Sequence, residues 1–165
     1  MDVKSEFLNG YIYEEVYVHQ PPGFESLTSP AHVFKLKKYL YGLKQAPRAW
    51  YERLSSFLLD NGFSRGQVDI TLFCKNNGNN LITCQIYVDD IIFTSANPSV
   101  CREFSKLMHA EFEMSLMQEL KYFLGIQIIQ ALEATYIHQG KYTKEVLMKF
   151  YMSESKPSKT PMNTF

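Results

Sequence analysis

The residues best suited to chemistry in this sequence are two adjacent aspartates, Asp89 and Asp90, which lie between two runs of β-branched and aromatic residues. The runs at 81–88 and 91–94 are typical of β-strands, so the two carboxylates fall on the connecting hairpin turn. The usual Asn-Gly or Asp-Gly of such a turn is absent. A carboxylate pair at an apolar tip concentrates negative charge, which a bound cation would relieve. A solvent-exposed acidic turn without a cation is the alternative.

A second candidate site is the glycine-containing turn Tyr41-Gly42-Leu43-Lys44-Gln45. It precedes a helix that begins at Pro47, where proline costs nothing because the first helical amide has no intrahelical acceptor. A glycine turn, a lysine and a helix N-terminus together suit an anion such as phosphate. An ordinary turn with a surface lysine remains the alternative.

Composition sets limits on the class of protein. The 165 residues are about one domain's length, and a hydrophobic content of 45% suffices for a core. Lys+Arg and Asp+Glu each number 17, so any nucleic-acid contact must come from local clusters. The three cysteines show no CxxC spacing, which favours reduced thiols in an intracellular protein that is not secreted. No 18-residue apolar run exists, so no membrane span is expected.

Hydrophobic periodicity predicts the elements that must position these residues. A helix is expected at about 47–61 and a second at about 98–113, with Asn97-Pro98 at its start. The predicted strands are 68–75, 81–88 and 91–95, which form an antiparallel meander, and 122–130, which is interrupted by Gly125 and pairs with 134–138. A final helix is expected at 141–151, followed by a disordered tail at 153–165.

Several ordered sequence blocks together resemble one family. DVKSEFLNGYIYEEVYVHQPPGF, KLKKYLYGLKQAPRAWYERL and QIYVDDIIFTS occur in this order, followed by ELKYFLGIQI and GKYTKEVLMKF. They are similar to the reverse transcriptase of Ty1/copia-type LTR retrotransposons over about residues 1–162. A lone Tyr-x-Asp-Asp would be weak evidence, whereas the ordered blocks, one containing LYGLKQAPRAW, are specific.

The resemblance implies an RNA-directed DNA polymerase that transfers nucleotides to a primer 3′-hydroxyl with two Mg²⁺ ions, or Mn²⁺. It assigns the catalytic and metal-binding carboxylates to Asp2, Asp89 and Asp90, and a metal-binding backbone carbonyl to Val3. It also implies that a strand beside the hairpin brings Asp2 to its tip. Tyr87 and Val88 belong to the motif turn, where a β-branched residue indicates stored strain.

The resemblance also assigns residues that contact substrates. Phe7 matches an aromatic gate that rejects the ribose 2′-hydroxyl, and Leu124 and Gly125 match the primer-grip hairpin. Contacts to the incoming nucleotide and template are assigned to Tyr41, Gly42, Lys44 and Gln45. The final helix offers candidate phosphate contacts, with a solvated helix face as the alternative: Lys141, Lys144 and Lys149. The family usually has a small residue, commonly alanine, where this chain has Glu6.

The implied fold is α+β, with a polymerase palm-type antiparallel sheet backed by two helices, partial fingers and a thumb stub. We expect the palm at 1–130 with its finger remnant at about 11–40, and the thumb at 131–152. The implied partners are an RNA or DNA template with its primer, deoxynucleoside triphosphates, and the RNase H and integrase parts of a polyprotein. In an intact element the expected location is a cytoplasmic virus-like particle.

We interpret the chain as a truncated piece of such a polyprotein. A catalytically inactive remnant, or a nucleic-acid-binding module that keeps the palm fold, is the first alternative. An unrelated αβ protein with an incidental Asp-Asp turn is the second.

Overall fold

The computed structural model describes residues 1–78, 80–115 and 119–156. The chain forms two compact units, Met1–Met117 and Gln118–Phe165. Within the described residues the architecture is mixed α/β, with antiparallel sheets and three α-helices. This agrees with the expected α+β class.

The first unit begins with a single 3₁₀ turn at Glu6–Asn9, and its strands and helices follow in chain order. They are β1 (Tyr17–His19), β2 (Val33–Lys35), α1 (Ala46–Asp60), β3 (Ser64–Arg65), β4 (Leu72–Asn77), β5 (Asn80–Tyr87), β6 (Asp90–Ser95) and α2 (Pro98–Glu111). The second unit contains β7 (Tyr122–Phe123), β8 (Ile126–Gln130), β9 (Thr135–His138) and α3 (Gly140–Lys149).

The main sheet of the first unit has four antiparallel strands in the order β3-β4-β5-β6. Alternate residues of β5 are buried, because successive side chains of a strand point to opposite faces. This buried face shares a core with α1 and α2, whose buried residues include Trp50, Leu54, Leu58, Phe104 and Met108. The expected meander and both expected helices are confirmed, and β3 adds a strand that the sequence pattern did not predict.

The predicted strand at 68–75 is wrong at its beginning, since β4 starts only at Leu72. Asp69 closes a turn there: its carboxylate accepts from the Thr71 amide at 2.8 Å, and its carbonyl accepts from the Leu72 amide at 3.2 Å. Val68 is fully exposed before this turn. A side chain that bonds its own backbone two residues on competes with a strand ladder.

The single strand that the sequence pattern predicts at 122–130 is also wrong, because the chain reverses at its centre, where the resemblance implies a hairpin. Leu124 and Gly125 have φ of +49° and +78° and join β7 to β8 as a two-residue hairpin. Two successive positive φ values give the turn whose twist matches an antiparallel pair. The expected pairing with the next strand is confirmed, as Gln127 lies opposite His138.

The strand that the resemblance implies beside the hairpin is present only as isolated bridges. Asp2 and Val3 make isolated β-bridges, and Ser5 then takes a φ of +51° before the 3₁₀ turn. From residue 157 the expected disordered tail lies outside the described residues. The division into palm and thumb at residue 130 stays a prediction.

Two other findings concern the same described ranges. Cys74, Cys84 and Cys101 are free thiols, as their spacing predicts. None of the helices in these ranges is both long enough and apolar enough to cross a bilayer.

Two neighbouring leucines of α1 test the assignment of the core. Leu58 is 0% exposed and Leu59 is 42% exposed. Leu58→Ala should lower the free energy of unfolding by about 2–5 kcal/mol, because it leaves a cavity, whereas Leu59→Ala should cost less than about 1 kcal/mol. Urea unfolding followed by Trp50 fluorescence measures both. Equal losses would contradict the burial of this face of α1.

Candidate active site

The N-terminal segment pairs with the beginning of β6, directly beside the Asp-Asp turn. Asp2 lies opposite Asp90 in an antiparallel bridge. The Val3 amide donates to the Asp89 carbonyl at 3.0 Å, and the Ile91 amide donates to the Met1 carbonyl at 2.8 Å. The expected approach of Asp2 to the hairpin tip is therefore confirmed for the backbone.

The other side of this segment is held by residues 113–115. The Asp2 amide donates to the Ser115 hydroxyl at 2.8 Å, and the Ser115 amide donates to the Asp2 carbonyl at 2.8 Å. Val3 pairs with Met114 and is only 1% exposed. Asp2 thus lies between two hydrogen-bonded neighbours, and sequence reasoning gave no role to Ser115.

The turn that carries the aspartates is strained, and a helix residue anchors it. Val88 has a φ of +54°, which is sterically costly for a β-branched residue. Tyr87 pairs with Asp90 across the turn. The indole N–H of Trp50 donates to the Val88 carbonyl at 2.7 Å. The strain predicted at Val88 is confirmed, and its anchor is a residue of the helix α1.

The electrostatics of Asp2 reflect its neighbours. Burial raises the pKa of the Asp2 carboxyl, and the charges of Asp89 and Asp90 raise it further, while the N-terminal ammonium and Lys4 act in the opposite direction. The raised pKa means that the carboxylate form is destabilised where it lies. Hard carboxylate oxygens with an excess of negative charge are a donor set that suits Mg²⁺ or Mn²⁺.

The described residues contain no group of three or more His, Cys, Asp or Glu side chains arranged to hold one metal ion. Asp2, Asp89 and Asp90 therefore do not form a complete cage from protein carboxylates. Proteins commonly hold Mg²⁺ through one or two carboxylates, with water and substrate phosphate oxygens completing the octahedron. The donor set fits an ion of that kind, shared with a substrate.

Two of the residues matched to nucleotide contact lie against each other. The rings of Phe7 and Tyr41 are 4.7 Å apart at 56°. The pKa of Tyr41 is raised to about 12, mainly by the hydrogen bond that its hydroxyl donates to Glu6. The negative charges of Asp89 and Asp2 also raise it. The aromatic pair therefore lies within electrostatic range of the carboxylates.

The remaining residues of the glycine turn lie at the start of α1. Gly42 has a φ of +87°, and a Cβ built there would meet nothing within 4 Å, so glycine is needed for its backbone angle and not for space. Lys44 and Gln45 are exposed directly before the helix. This arrangement agrees with the anion-binding interpretation and with the surface-turn alternative.

The other assigned contacts lie in the second unit. Leu124 and Gly125 form the tip of the β7–β8 hairpin, where Leu124 is 50% exposed. All three lysines of α3 are exposed. The Lys141 ammonium lies 3.9 Å from the Glu145 carboxylate. The Lys149 ammonium lies 5.9 Å from the centre of the Phe150 ring.

Comparison with known proteins identifies the class. Residues 1–164 match the family model described as Reverse transcriptase (RNA-dependent DNA polymerase). The chain belongs to this family. Its resemblance to copia-type retrotransposon Pol polyproteins, read from the sequence blocks, is confirmed by the relatives that it matches.

Two of these relatives are plant proteins and one is from yeast. The chain is 38% identical over 164 residues to the Retrovirus-related Pol polyprotein from transposon RE2 of Arabidopsis thaliana, which is 99% of this chain and 11% of that polyprotein. It is 34% identical over 165 residues to the Retrovirus-related Pol polyprotein from transposon TNT 1-94 of Nicotiana tabacum, covering 98% of this chain and 12% of the polyprotein. Over 131 residues it is 33% identical to the Putative transposon Ty5-1 protein YCL074W of Saccharomyces cerevisiae, covering 79% of this chain and 42% of that protein.

The chain thus spans 11–12% of the length of the two plant polyproteins. No solved structure matches it significantly.

Replacing Val88 tests the strain in the turn. Val88→Gly should raise the free energy of unfolding by about 1 kcal/mol, because relief of about 1–3 kcal/mol of strain exceeds the entropy cost of glycine. Val68→Gly is the matched control, because Val68 is exposed and its φ is not positive; it should be neutral or mildly destabilising. Urea unfolding measures both, and equal destabilisation would contradict strain at Val88.

The pH dependence of stability should have opposite signs at two aspartates. Because the folded-state pKa of Asp2 is raised above its ordinary 3.8, ionisation destabilises the fold as pH rises through the raised pKa. Asp2→Asn should therefore be more stable than the wild type at pH 7, with the difference vanishing below about pH 4.

Asp69 provides the contrast, since hydrogen bonds from the Thr71 side chain and amide lower its pKa. Its stabilising contribution is present above its unfolded pKa and is lost as pH falls through the folded value. Asp69→Asn should therefore be less stable than the wild type at pH 7 and equal to it at low pH. Thermal unfolding from pH 3 to pH 8 checks both variants, and shifts of the same sign would contradict this description.

Proposed function

We propose that this chain is the palm-type part of an RNA-directed DNA polymerase, which extends a primer 3′-hydroxyl by two-metal nucleotidyl transfer. The pairing of Asp2 with Asp90 beside the strained turn supports this most directly. It brings residues that are distant in sequence into one acidic site, and the raised pKa of Asp2 marks negative charge that a divalent cation would relieve.

In this proposal Asp2, Asp89 and Asp90 hold the ions, with the Val3 carbonyl as a further ligand. The ions would supply a lowered pKa for the primer hydroxyl and neutralisation of the leaving pyrophosphate. The chain's own contribution is positioning: the backbone pairs at Val3 and Ile91, and the Trp50 anchor, fix where the carboxylates stand. In-line transfer depends on such fixed geometry.

Substrate contacts follow from the same assignment. Phe7 would exclude a ribose 2′-hydroxyl by bulk, next to Tyr41. Gly42, Lys44 and Gln45 would contact the nucleotide phosphates and the template at the N-terminus of α1. Leu124 and Gly125 would support the primer end.

The wider architecture belongs to the proposal too. The sheet β3-β4-β5-β6 with α1 and α2 would be the palm, the segment with β1 and β2 the finger remnant, and the segment with α3 the thumb stub. The substrates would be deoxynucleoside triphosphates and a primed RNA or DNA template. The remaining polyprotein, with RNase H and integrase, would accompany it in a cytoplasmic particle.

A non-catalytic module is the second candidate. One observation favours it: among the described residues, Asp2, Asp89 and Asp90 do not form a group of three side chains arranged around one ion position. Such a module would bind nucleic acid through the same surface without synthesis.

Primer extension separates the two candidates. With a primed RNA template and Mg²⁺ or Mn²⁺, the chain should incorporate deoxynucleotides. Asp89→Asn should lower the rate by about 10²–10³-fold, since a metal ligand supplies several kcal/mol of transition-state stabilisation. Asp60→Asn, an exposed aspartate at the end of α1, is the control. Template binding that is unaffected by Asp89→Asn, with no synthesis by the wild type, would support the module instead.

Metal binding can be measured without turnover. Adding Mn²⁺ or Mg²⁺ should raise the melting temperature of the wild type, because binding to the folded state alone stabilises it. The rise should disappear in Asp2→Asn and persist in Asp60→Asn. A rise that is the same in all three chains would show that Asp2 is not a ligand.

A further inference from the structure

Glu6 is a charged residue in a buried position. It is only 4% exposed, in the single 3₁₀ turn that follows Asp2 and Val3. A buried carboxylate is costly unless a donor satisfies it. Glu6 also follows Asp2, a carboxylate of the proposed metal site, by only four residues. Burying a second negative charge so close to Asp2 is not what folding alone would favour.

The donor is the hydroxyl of Tyr41, which hydrogen-bonds to the Glu6 carboxylate. Phe7, the next residue along the chain, packs its ring against the ring of the same tyrosine at 4.7 Å. Two consecutive residues therefore hold Tyr41, one at its hydroxyl and the other at its ring. Tyr41 itself is 59% exposed, so these contacts restrict a ring that the solvent would otherwise leave free to turn.

The 3₁₀ turn that carries Glu6 and Phe7 is held firmly against α1. Gly10, just after the turn, approaches so closely that a Cβ there would lie 3.1 Å from the Ala49 Cβ and 3.2 Å from the Tyr39 ring. The position of Glu6 is thus set by packing on the helix. Tyr41, in a surface turn, is the partner that must adjust to it.

We propose that Glu6 is a positioning residue of the nucleotide pocket, which holds the Tyr41 hydroxyl so that the rings of Tyr41 and Phe7 form one fixed aromatic wall. The inference rests on the proposed function, since it concerns how that pocket selects its sugar. Exclusion of a 2′-hydroxyl by bulk requires a wall that does not move. Alanine at this position would leave the hydroxyl without its charged acceptor, and charge-assisted hydrogen bonds are the stronger kind.

The test compares three variants with a matched control. Glu6→Ala removes the acceptor, Tyr41→Phe removes only the hydroxyl that donates to it, and Glu6→Gln keeps an acceptor oxygen. Glu14→Ala is the control, because the Glu14 carboxylate accepts from the Tyr39 hydroxyl at 2.9 Å, whereas Asp2 and Asp89 are not among the charges that perturb Tyr39. Glu14 is exposed.

The first measurement is the ratio of kcat/KM for a deoxynucleotide to that for the matching ribonucleotide in primer extension. We expect the ratio to fall about five-fold in Glu6→Ala and Tyr41→Phe, as for loss of one hydrogen bond. It should be largely restored in Glu6→Gln and unchanged in Glu14→Ala. A ratio that is the same in all active chains would overturn the inference while leaving the proposed polymerase intact.

The second measurement needs no turnover. With 4-fluorophenylalanine placed at Phe7, the ¹⁹F resonance should shift and sharpen in Glu6→Ala and Tyr41→Phe, and stay in place in Glu14→Ala. A chain that synthesises nothing would contradict the proposed function, and this resonance would still decide whether Glu6 fixes the wall. A resonance that stays in place in both Glu6→Ala and Tyr41→Phe would overturn the inference.

Discussion

The antiparallel pairing of residues 1–3 with residues 89–91 is the constraint on which the acidic site depends. Two backbone hydrogen bonds, from Val3 to the Asp89 carbonyl and from Ile91 to the Met1 carbonyl, fix the register. A slip of one residue would place a different side chain opposite Asp90, because the side-chain period of a strand is two. Burial of Val3 strengthens the pairing by about 1.5–3 kcal/mol, so packing holds together charges that repel each other.

At the hairpin tip, too, packing maintains a conformation that is locally unfavourable. A positive φ at Val88 is unfavourable for the isolated dipeptide, and the turn lacks the glycine that would remove the cost. Trp50 is 1% exposed in the core and donates its indole N–H to the Val88 carbonyl. One side chain therefore connects the apolar core to the turn, and the stability of α1 and the geometry of the carboxylates are coupled through it.

The sequence predicted those elements whose signal is local and regular. The hairpin of β5 and β6, α1, and α2 with its Asn97 cap each follow from periodicity and end residues, and the Ser99 amide indeed donates to the Asn97 side chain at 2.9 Å. Long hydrophobic periods survive the tertiary context because the same face that makes the pattern is buried.

The sequence predictions that were wrong or missing have two kinds of cause. Some are local interactions that compete with the hydrophobic pattern, and others are contacts between residues far apart in the sequence, which the pattern cannot show. Asp69 bonds its own backbone and delays β4. No local signal marks the positive φ of Leu124, so the pattern predicted one strand with a glycine in it, and only the resemblance indicated a hairpin there. The bond from the Asp2 amide to the Ser115 hydroxyl joins residues far apart in the sequence, and no single-sequence signal marks such a pair. Family resemblance supplied Asp2, which composition and spacing alone do not single out.

Glu6 and Asp2 show how a fold can treat two nearby carboxylates differently. Glu6 is buried and receives a hydroxyl donor from Tyr41, so its charge has a partner within the protein. Both backbone groups of Asp2 are hydrogen-bonded to Ser115, yet the strongest influences on its carboxyl are burial and two like charges, which raise its pKa. A carboxylate that has a hydrogen-bond donor within the protein can be stable in its ionised form without a ligand. A carboxylate whose ionised form is destabilised gains stability when a cation binds. The difference supports the proposed roles of Asp2 as a metal ligand and of Glu6 as a support for the aromatic wall.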